Sequence, residues 1–267
     1  GLVTIKGDAY VSAEAAADKS VISSGNTNGE RGKTNGIVIS GNAYVKTSGG
    51  SYGLNPAGGA ETLISDKARV EIYNASKYAI YATTSGIRVS GEADIKVRNS
   101  AAGIYAKKDE LTMGDNAKID LDVTGNYGIF AQTDVTVRIL NAAYVEIAGG
   151  KTNGIYSTLP TVISENAEVL IAGAAKAFGR QGVTVEPAAG MRYKIASGDD
   201  AATAEVKNYS VKTEGLQAQT KYFHAQVQEL PKVQWGTDGE NYPNAGSFFD
   251  LYIALTGLEA GGTMYVR

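Results

Sequence analysis

The chain of 267 residues contains no cysteine, one histidine, one tryptophan and five prolines. Without cysteine, neither a disulfide framework nor a zinc site with thiolate ligands can form. The only histidine is His224. We expect it to be a partly buried strand residue and not a metal ligand or a general base. Proline lacks the N–H that a strand ladder needs, so its scarcity leaves little to interrupt stacked strands.

An excess of positive charge is also missing. The sequence has 25 Lys and Arg against 28 Asp and Glu, a net charge of -3. This balance argues against nucleic acid or an anionic membrane as partner. No apolar run reaches the length of a membrane span, and the first residues already read as a strand, so neither membrane insertion nor a signal peptide is expected.

What the chain does have is a repeat with a period of about 25 residues. A small residue follows each polar turn, at Ala9, Ala43, Ala68, Ala93, Ala117, Ala143 and Ala167. A second marker keeps a constant offset from the first, at Gly53-Leu54, Ala79-Ile80, Gly103-Ile104, Gly128-Ile129, Gly154-Ile155 and Ala177-Phe178. Two markers in phase indicate a coil of equivalent turns.

Within one unit the residues alternate as they do in strands. In residues 93–98 apolar side chains alternate with charged ones, and residues 68–73 and 117–122 repeat the pattern. Each unit holds about three short strands and no helix, and it cannot close a core alone. The sequence therefore predicts an all-β protein, a single-stranded right-handed parallel β-helix with a C-terminal β cap.

Two regions depart from the repeat. Residues 1–197 are assigned to the β-helix, with a polar insert near 12–35 in which 13–19 form a helical turn and 23–32 an exposed loop. Residues 198–267 are assigned to a cap or small β module, because an open solenoid end requires covering. Strands are predicted near 191–195, 204–207, 222–227 and 248–253. The strand-like end at 264–267 leads us to expect that the natural chain continues.

The repeated Gly-Ile-Tyr-Ala and Asn-Ala-x-Val-x-Val segments of residues 2 to about 180 resemble the β-helix regions of adhesin-like proteins, secreted or wall-attached, of gut bacteria. These belong to the broad pectate-lyase-like superfamily. The resemblance implies an extracellular or cell-surface location. It leaves function open, because the superfamily includes polysaccharide lyases, glycosidases and non-catalytic surface proteins.

One candidate site is acidic. Asp94, Asp120 and Asp122 with Arg98 are the residues that a lyase or glycosidase would use, and clustered acids of this superfamily hold calcium. Phase places Arg98 beside Asp122 and Lys96 beside Asp120, which favours paired charges without catalysis. The outward ladder of alternating charge is Lys46, Glu71, Lys96, Asp120 and Glu146. We predict no enzyme, no cofactor and no metal site, with calcium left open.

The other candidate site is aromatic. Tyr81, Tyr105, Phe130 and Tyr156 recur once per turn, and Tyr127 lies beside them, as do Tyr52 and Tyr78. Flat rings at this step fit an extended glycan, but the pattern favours the simpler interpretation that the rings stack on one another across strands. The prediction is a non-catalytic module that binds a glycan or a host-surface ligand, within a longer multidomain chain. An enzyme and a structural spacer remain the alternatives.

Weaker motifs are assigned structural roles. Residues 49–53 match a nucleophile elbow but lie in a turn between strands, where the required helix is absent. Asp199-Asp200 and Asp238-Gly239-Glu240 read as solvated turns. Asn42, Asn116 and Asn166, one residue before the marker alanines, are predicted to close turns through their side chains.

Overall fold

The computed structural model describes residues 1–25, 36–56, 61–132, 134–179 and 181–230, together with the strands at 233–236, 244–246 and 265–266. This part of the chain is all-β and forms a β-solenoid of about six turns with about 25 residues in each. The predicted architecture is confirmed. No helix in the described ranges has the length and apolarity needed to cross a membrane.

Each turn contributes one strand to each of three parallel sheets, named A, B and C. Sheet A contains β1 (Val3–Ile5), β4 (Ile37–Ile39), β7 (Thr62–Ile64), β10 (Ile87–Val89), β13 (Glu110–Met113), β16 (Thr136–Ile139), β19 (Thr161–Glu165) and β21 (Val183–Pro187). Sheet B contains β2 (Tyr10–Ala15), β5 (Tyr44–Gly49), β8 (Arg69–Tyr73), β11 (Asp94–Ser100), β14 (Lys118–Val123), β17 (Tyr144–Gly149) and β20 (Glu168–Ala172). Sheet C contains β3 (Ser20–Ser24), β6 (Tyr52–Pro56), β9 (Tyr78–Ala82), β12 (Ile104–Ala106), β15 (Tyr127–Ala131) and β18 (Asn153–Ser157).

The core is a set of ladders in which equivalent residues of successive turns stack inside the coil. In sheet C, Ile104 pairs in register with Ile80 on one side and with Ile129 on the other, and all three are fully buried. The marker alanines from Ala43 to Ala167 are equally buried. Because side chains of a strand alternate between its two faces, a 25-residue repeat of this alternation fills one continuous interior.

The turn from sheet A to sheet B depends on a residue with positive φ, two positions before each marker alanine. The residues, with their φ angles, are Gly7 (68°), Gly41 (71°), Asp66 (61°), Gly91 (68°), Asp115 (56°), Asn141 (58°) and Glu165 (60°). Glycine, Asp and Asn tolerate this left-handed conformation best. The Asp carboxylates also accept bonds from the preceding turn, Asp66 from the N–H of Gly41 at 2.8 Å and Asp115 from that of Gly91 at 2.9 Å.

The next residue was predicted to close these turns through its side chain, and for Asn42 this prediction is wrong. Asn42 does not take the left-handed conformation; its side chain donates instead to the Asp8 carboxylate at 2.9 Å. The left-handed residue determines the direction of the chain, so a Gly, Asp or Asn two positions before the alanine was the informative signal.

Antiparallel strands cover the last turn. The cap consists of β22 (Met191–Gly198), β23 (Glu205–Tyr209), β24 (Thr213–Leu216) and β25 (Tyr222–Glu229). Strand β24 pairs with β21 at the end of sheet A, and β25 pairs with β20 at the end of sheet B. At the end of sheet C, the N–H groups of Ala177 and Phe178 donate to carbonyls of the cap, and the Phe178 and Phe223 rings meet edge to face at 4.8 Å. The cap thus satisfies edges that would otherwise pair with other chains.

One local prediction near the start is wrong, and a second is wrong at two residues. Residues 13–15 continue strand β2, and the following turn is closed by the N–H of Lys19 on the carbonyl of Ala16, so no helical turn occupies 13–19. Ala13 and Ala15 are half-buried, whereas Ser12 and Glu14 are exposed, which is the alternation of a strand. Ser23 and Ser24 belong to β3, and the remainder of the predicted loop, 26–32, lies outside the described residues.

Beyond the cap, β26 (Val233–Gly236) pairs antiparallel with β27 (Asn244–Gly246) and with β28 (Tyr265–Val266). The strand predicted at 248–253 and the acidic turn at 238–240 lie outside the described residues. The predicted strand character of the final residues is confirmed for Tyr265 and Val266.

Candidate binding surface

Sheet C carries the predicted aromatic residues on its outer face. Register places Tyr81, Tyr105, Phe130 and Tyr156 in one column across β9, β12, β15 and β18. Ring contacts extend the column to a continuous surface, here called the aromatic strip, of Tyr52, Tyr78, Tyr81, Tyr105, Tyr127, Phe130 and Tyr156. Tyr105 is 7% exposed, and the other six are half-buried.

The rings of the strip stack on one another. Tyr81 lies 4.3 Å from Tyr52 and 4.8 Å from Tyr105, centroid to centroid, with interplanar angles of 18° and 24°. Tyr127 and Phe130 stack at 4.7 Å and 14°. These contacts occupy much of the ring faces and each contributes roughly 0.5–1.5 kcal/mol beyond the area that it buries. Between the two ends of the strip, ring edges and hydroxyls are what a ligand would meet.

Three hydroxyls of the strip are held in their protonated form. Burial raises the pKa of the hydroxyls of Tyr78, Tyr81 and Tyr105 above the ordinary tyrosine value, with neighbouring tyrosines adding to the effect. The Tyr105 hydroxyl uses its proton to donate to the Gln132 side-chain oxygen at 2.9 Å. The surface therefore combines apolar ring edges with protonated donors, a mixture typical of polar contact surfaces.

Lysines lie beside several rings of the strip. The six strands of sheet C contain no Asp or Glu. The ammonium of Lys77 lies 5.7 Å from the centre of the Tyr52 ring. Exposed Lys107 follows β12 directly, and Lys151 and Lys176 lie near Tyr156; none of the three forms an ion pair within the described part of the chain.

The C-terminal end of the strip opens into a groove of about 470 Å³, here called the terminal groove. Its lining residues are Lys151, Thr152, Asn153, Tyr156, Ala175, Lys176, Gly179 and Gln219. Tyr156 is the last ring of the strip and meets its neighbours only at tilted angles of 47° and 56°. Gly179 lies against this ring, since a Cβ atom there would come 3.1 Å from Cδ2 of Tyr156.

The acidic candidate site lies on sheet B and differs in its pairing from the prediction. A register shift after Val97 brings the Arg98 guanidinium to both carboxylate oxygens of Asp120, one of them at 2.8 Å. Lys96 pairs with Asp94 at 3.2 Å on its own strand. The predicted placement of Lys96 beside Asp120 is confirmed by the register, although the ion pair of Lys96 is with Asp94. The predicted placement of Arg98 beside Asp122 is wrong.

The bulge that follows Val97 explains the difference, because it moves Arg98 out of line with Asp122. Two of the three candidate acids, Asp94 and Asp120, are compensated by cations, and Asp122 lies outside these pairs. A calcium ion requires several uncompensated oxygens. No group of three or more Asp, Glu or His side chains that could hold a metal occurs in the described ranges.

Glu71 is a buried acid that the sequence predicted to be exposed to solvent. It was assigned to a solvated charge ladder, yet its residue is 5% exposed. Its carboxylate accepts the hydroxyls of Tyr44 at 2.9 Å and Tyr73 at 2.8 Å, and it also binds Arg69. Tyr44 on β5 is in register with Arg69, two positions before the acid, and Tyr73 lies two positions after it on β8, so the two tyrosines enclose Glu71 from both sides. Burial pushes the pKa of Glu71 upward, but the bonds from Tyr73, Tyr44 and Arg69 together outweigh it and leave this pKa below its usual value.

We expect Glu71→Gln to lower the free energy of unfolding at pH 7 by about 2 kcal/mol, the contribution typical of bonds to a buried charge. Because the folded-state pKa lies below the unfolded value of 4.5, the wild-type advantage is present above pH 4.5 and disappears as the pH falls through the folded-state pKa. Urea unfolding at pH 7 and at pH 3 measures both. Glu92→Gln, at an exposed acid, is the control. An equal deficit at both pH values would contradict the assignment.

The remaining motifs are structural. The hydroxyl of Ser51, in the turn between β5 and β6, donates to the carbonyl of Ala17 at 2.7 Å, and no helix follows it. Half-buried His224 on β25 contacts the Glu168 carboxylate at 2.7 Å, as a strand residue facing its neighbour. One oxygen of Asp200 accepts both N–H groups and a hydroxyl from Ala202 and Thr203, and the bonds from Thr203 lower the pKa of this carboxyl.

Comparisons with known protein families, with characterised proteins and with solved structures find no match. Function must therefore be argued from the surfaces of the solenoid. The acids of sheet B are largely compensated, whereas sheet C presents a broad aromatic surface bordered by unpaired cations.

Proposed function

We propose that this chain is a non-catalytic, carbohydrate-binding module of a bacterial extracellular or cell-surface protein. The aromatic strip is the observation that carries the proposal. Seven rings on one face of a rigid coil form a surface without any carboxylate on its strands. The resemblance of the repeats to adhesin-like β-helix proteins supports the extracellular placement, and it fits a module within a longer chain.

A glycan suits this surface for geometric and chemical reasons. Successive turns of parallel strands advance by about 4.8 Å, a step comparable to that of the residues in an extended glycan. Tyrosine offers both an apolar edge and a hydroxyl donor, and a sugar has matching C–H and hydroxyl groups. Since the strip is held by its own stacking contacts, little side-chain freedom is lost when a ligand binds.

A polysaccharide lyase or glycosidase working at Asp94, Asp120 and Asp122 is the alternative class. Arg98 and Lys96 neutralise two of these acids, which disfavours both a calcium site and a pair of catalytic carboxyls. Assays for unsaturated and reducing ends on uronic-acid polymers, across pH and with added calcium, separate the two classes. Product formation would replace the binding proposal with an enzymatic one.

The binding proposal is tested with the double variant Tyr78→Leu/Tyr127→Leu. Both rings are half-buried members of the strip that lie outside the terminal groove. We expect the affinity for the best ligand of a plant and mucin polysaccharide panel, measured by gel retardation and calorimetry, to fall about tenfold, as expected for two aromatic contacts.

The matched control is Tyr10→Leu, which removes a ring that is 63% exposed on sheet B. Its affinity should equal that of the wild-type protein. Thermal unfolding of each variant verifies that the fold persists. The carbohydrate proposal fails if no polysaccharide of the panel is retarded, or if the strip variant binds as well as the control.

A further inference from the structure

The terminal groove differs from the rest of the aromatic strip because no ring from a following turn covers Tyr156 in the described part of the chain. In the central column, Tyr81, Tyr105 and Phe130 each contact rings on the turns before and after them. Tyr156 is instead followed by Gly179, which has no side chain to cover the ring. Asn153 at the base of the groove is 4% exposed and is fixed by a bond from its amide to the carbonyl of Phe178 at 3.1 Å. The groove therefore has the Tyr156 ring on one side, the fixed side chain of Asn153 at its base, and no side chain at Gly179 to fill it.

Two lysines line this space. Lys151 lies in the turn before β18. Lys176 belongs to the next turn and is in register with Asn153, since the N–H of Gly154 donates to its carbonyl and Ile155 pairs with Phe178. Neither ammonium pairs with an acid among the described residues, and the lining contains no Asp or Glu. Two like charges bordering one cavity repel each other unless an anion lies between them.

Other grooves of the solenoid lack this property. One is lined by Glu186, Lys212 and Glu214, and its lysine already pairs with Glu214 at 3.1 Å. Another contains Glu61 and Arg88, which pair at 3.2 Å. In both, cations are neutralised by acids of the protein itself. The terminal groove instead leaves its positive charge available to a ligand.

We propose that the terminal groove is a subsite for an acidic sugar residue, whose ring lies against Tyr156 and whose anionic group pairs with Lys151 and Lys176. The inference rests on the proposed function, and it adds the ligand class, an anionic glycan. A carboxylate and a sulfate ester share the required charge and acceptor oxygens. Thr152 and Gln219 supply further donors for the sugar hydroxyls.

The test uses four polymers with one backbone. These are chondroitin sulfate, its desulfated form with carboxylates only, its carboxyl-reduced form with sulfates only, and the neutral form carrying both modifications. We expect the wild-type protein to bind at least one charged form at least tenfold more tightly than the neutral form, with an affinity that falls as salt is added. The desulfated and carboxyl-reduced forms tell which anion is recognised.

Three variants locate the site. Lys151→Gln/Lys176→Gln should weaken binding of the charged polymer about tenfold, whereas Lys67→Gln/Lys118→Gln, which removes the same charge from exposed positions next to sheet B, should not. Gly179→Val places a side chain against Tyr156 without altering charge, and it should weaken binding as well. Thermal unfolding of each variant confirms that it is folded.

The outcomes separate the two proposals. Equal binding of neutral and charged forms, or equal losses in the two lysine double variants, overturns the acidic-sugar subsite. If none of the four polymers binds while the strip variant loses affinity for a neutral polysaccharide, the subsite is wrong and the binding module stands. If no polysaccharide binds at all, both proposals fail.

Discussion

Gly103→Ala will lower the free energy of unfolding by about 3 kcal/mol, near the upper end of what overpacking costs. A Cβ atom at this position would lie 2.3 Å from the carbonyl oxygen of Gly128 and 3.0 Å from Cδ1 of Leu121. The first of these atoms belongs to the backbone of the next turn. Its distance is held by the ladder hydrogen bonds, so the methyl group cannot be accommodated by a rotation of a side chain.

A matched control exists one turn earlier. Ala79 occupies the position equivalent to Gly103, is fully buried and already carries the methyl group. Ala79→Gly should cost about 1 kcal/mol or less, mainly through the extra freedom of glycine in the unfolded chain. Thermal unfolding compares the melting temperatures of the two variants. In a protein of this size each kcal/mol corresponds to roughly 2–4 °C, so Gly103→Ala should melt about 6–12 °C below the wild-type protein. Equal decreases in melting temperature for both variants would refute the clash.

Ile129→Ala will destabilise the protein by about 3–4 kcal/mol. Ile129 is fully buried and stacks between Ile104 and Ile155 in the inner ladder of sheet C. Truncation removes the apolar contacts of the side chain and leaves a cavity that neighbouring turns cannot fill, because the ladder spacing is fixed by hydrogen bonds. Unfolding by denaturant measures the total loss in the free energy of unfolding.

The control for this variant is Leu63→Ala. Leu63 points outward from sheet A, where it is half-buried beside Val38 and Arg88. Its loss should cost about 1 kcal/mol, because only part of the side chain is removed from water in the folded state. A Leu63→Ala loss as large as that of Ile129→Ala would contradict the assignment of inner and outer faces.

The location of the Ile129→Ala effect is also predicted. In a solenoid each turn contacts only its neighbours, so a defect weakens adjacent turns first. Amide hydrogen exchange should therefore accelerate most in β12, β15 and β18, and least in the first turn and in the cap. Uniform acceleration along the chain would indicate that the whole molecule unfolds as one cooperative unit.

The inner face of the solenoid could be derived from the sequence almost residue by residue. Ala43, Ile104 and Ile129 recur at fixed phase, and alternation within each strand assigns them to the interior. The same phase placed Tyr81, Tyr105 and Phe130 in one outward column, and the register confirms it. The left-handed residues at the turn between sheets A and B had a sequence signal as well, because all but Glu165 are Gly, Asp or Asn two positions before the alanine.

Contacts between outward side chains were decided by the tertiary structure. Arg98 reaches Asp120 because of a bulge after Val97 that no period reveals. Glu71 is buried because two tyrosines on neighbouring turns fold over it. Phase gives the side of a sheet on which a side chain starts, but its rotamer and the local register determine which neighbour it touches.

The sequence by itself thus determined the coil, its period and the direction of nearly every side chain, because strand alternation and the repeat are local properties of the chain. Only the tertiary structure decided that the aromatic rings of sheet C stack on one another and that Tyr156 lies beside an open groove. These features depend on how adjacent turns and the cap pack, and such packing is a relation between residues distant in the chain.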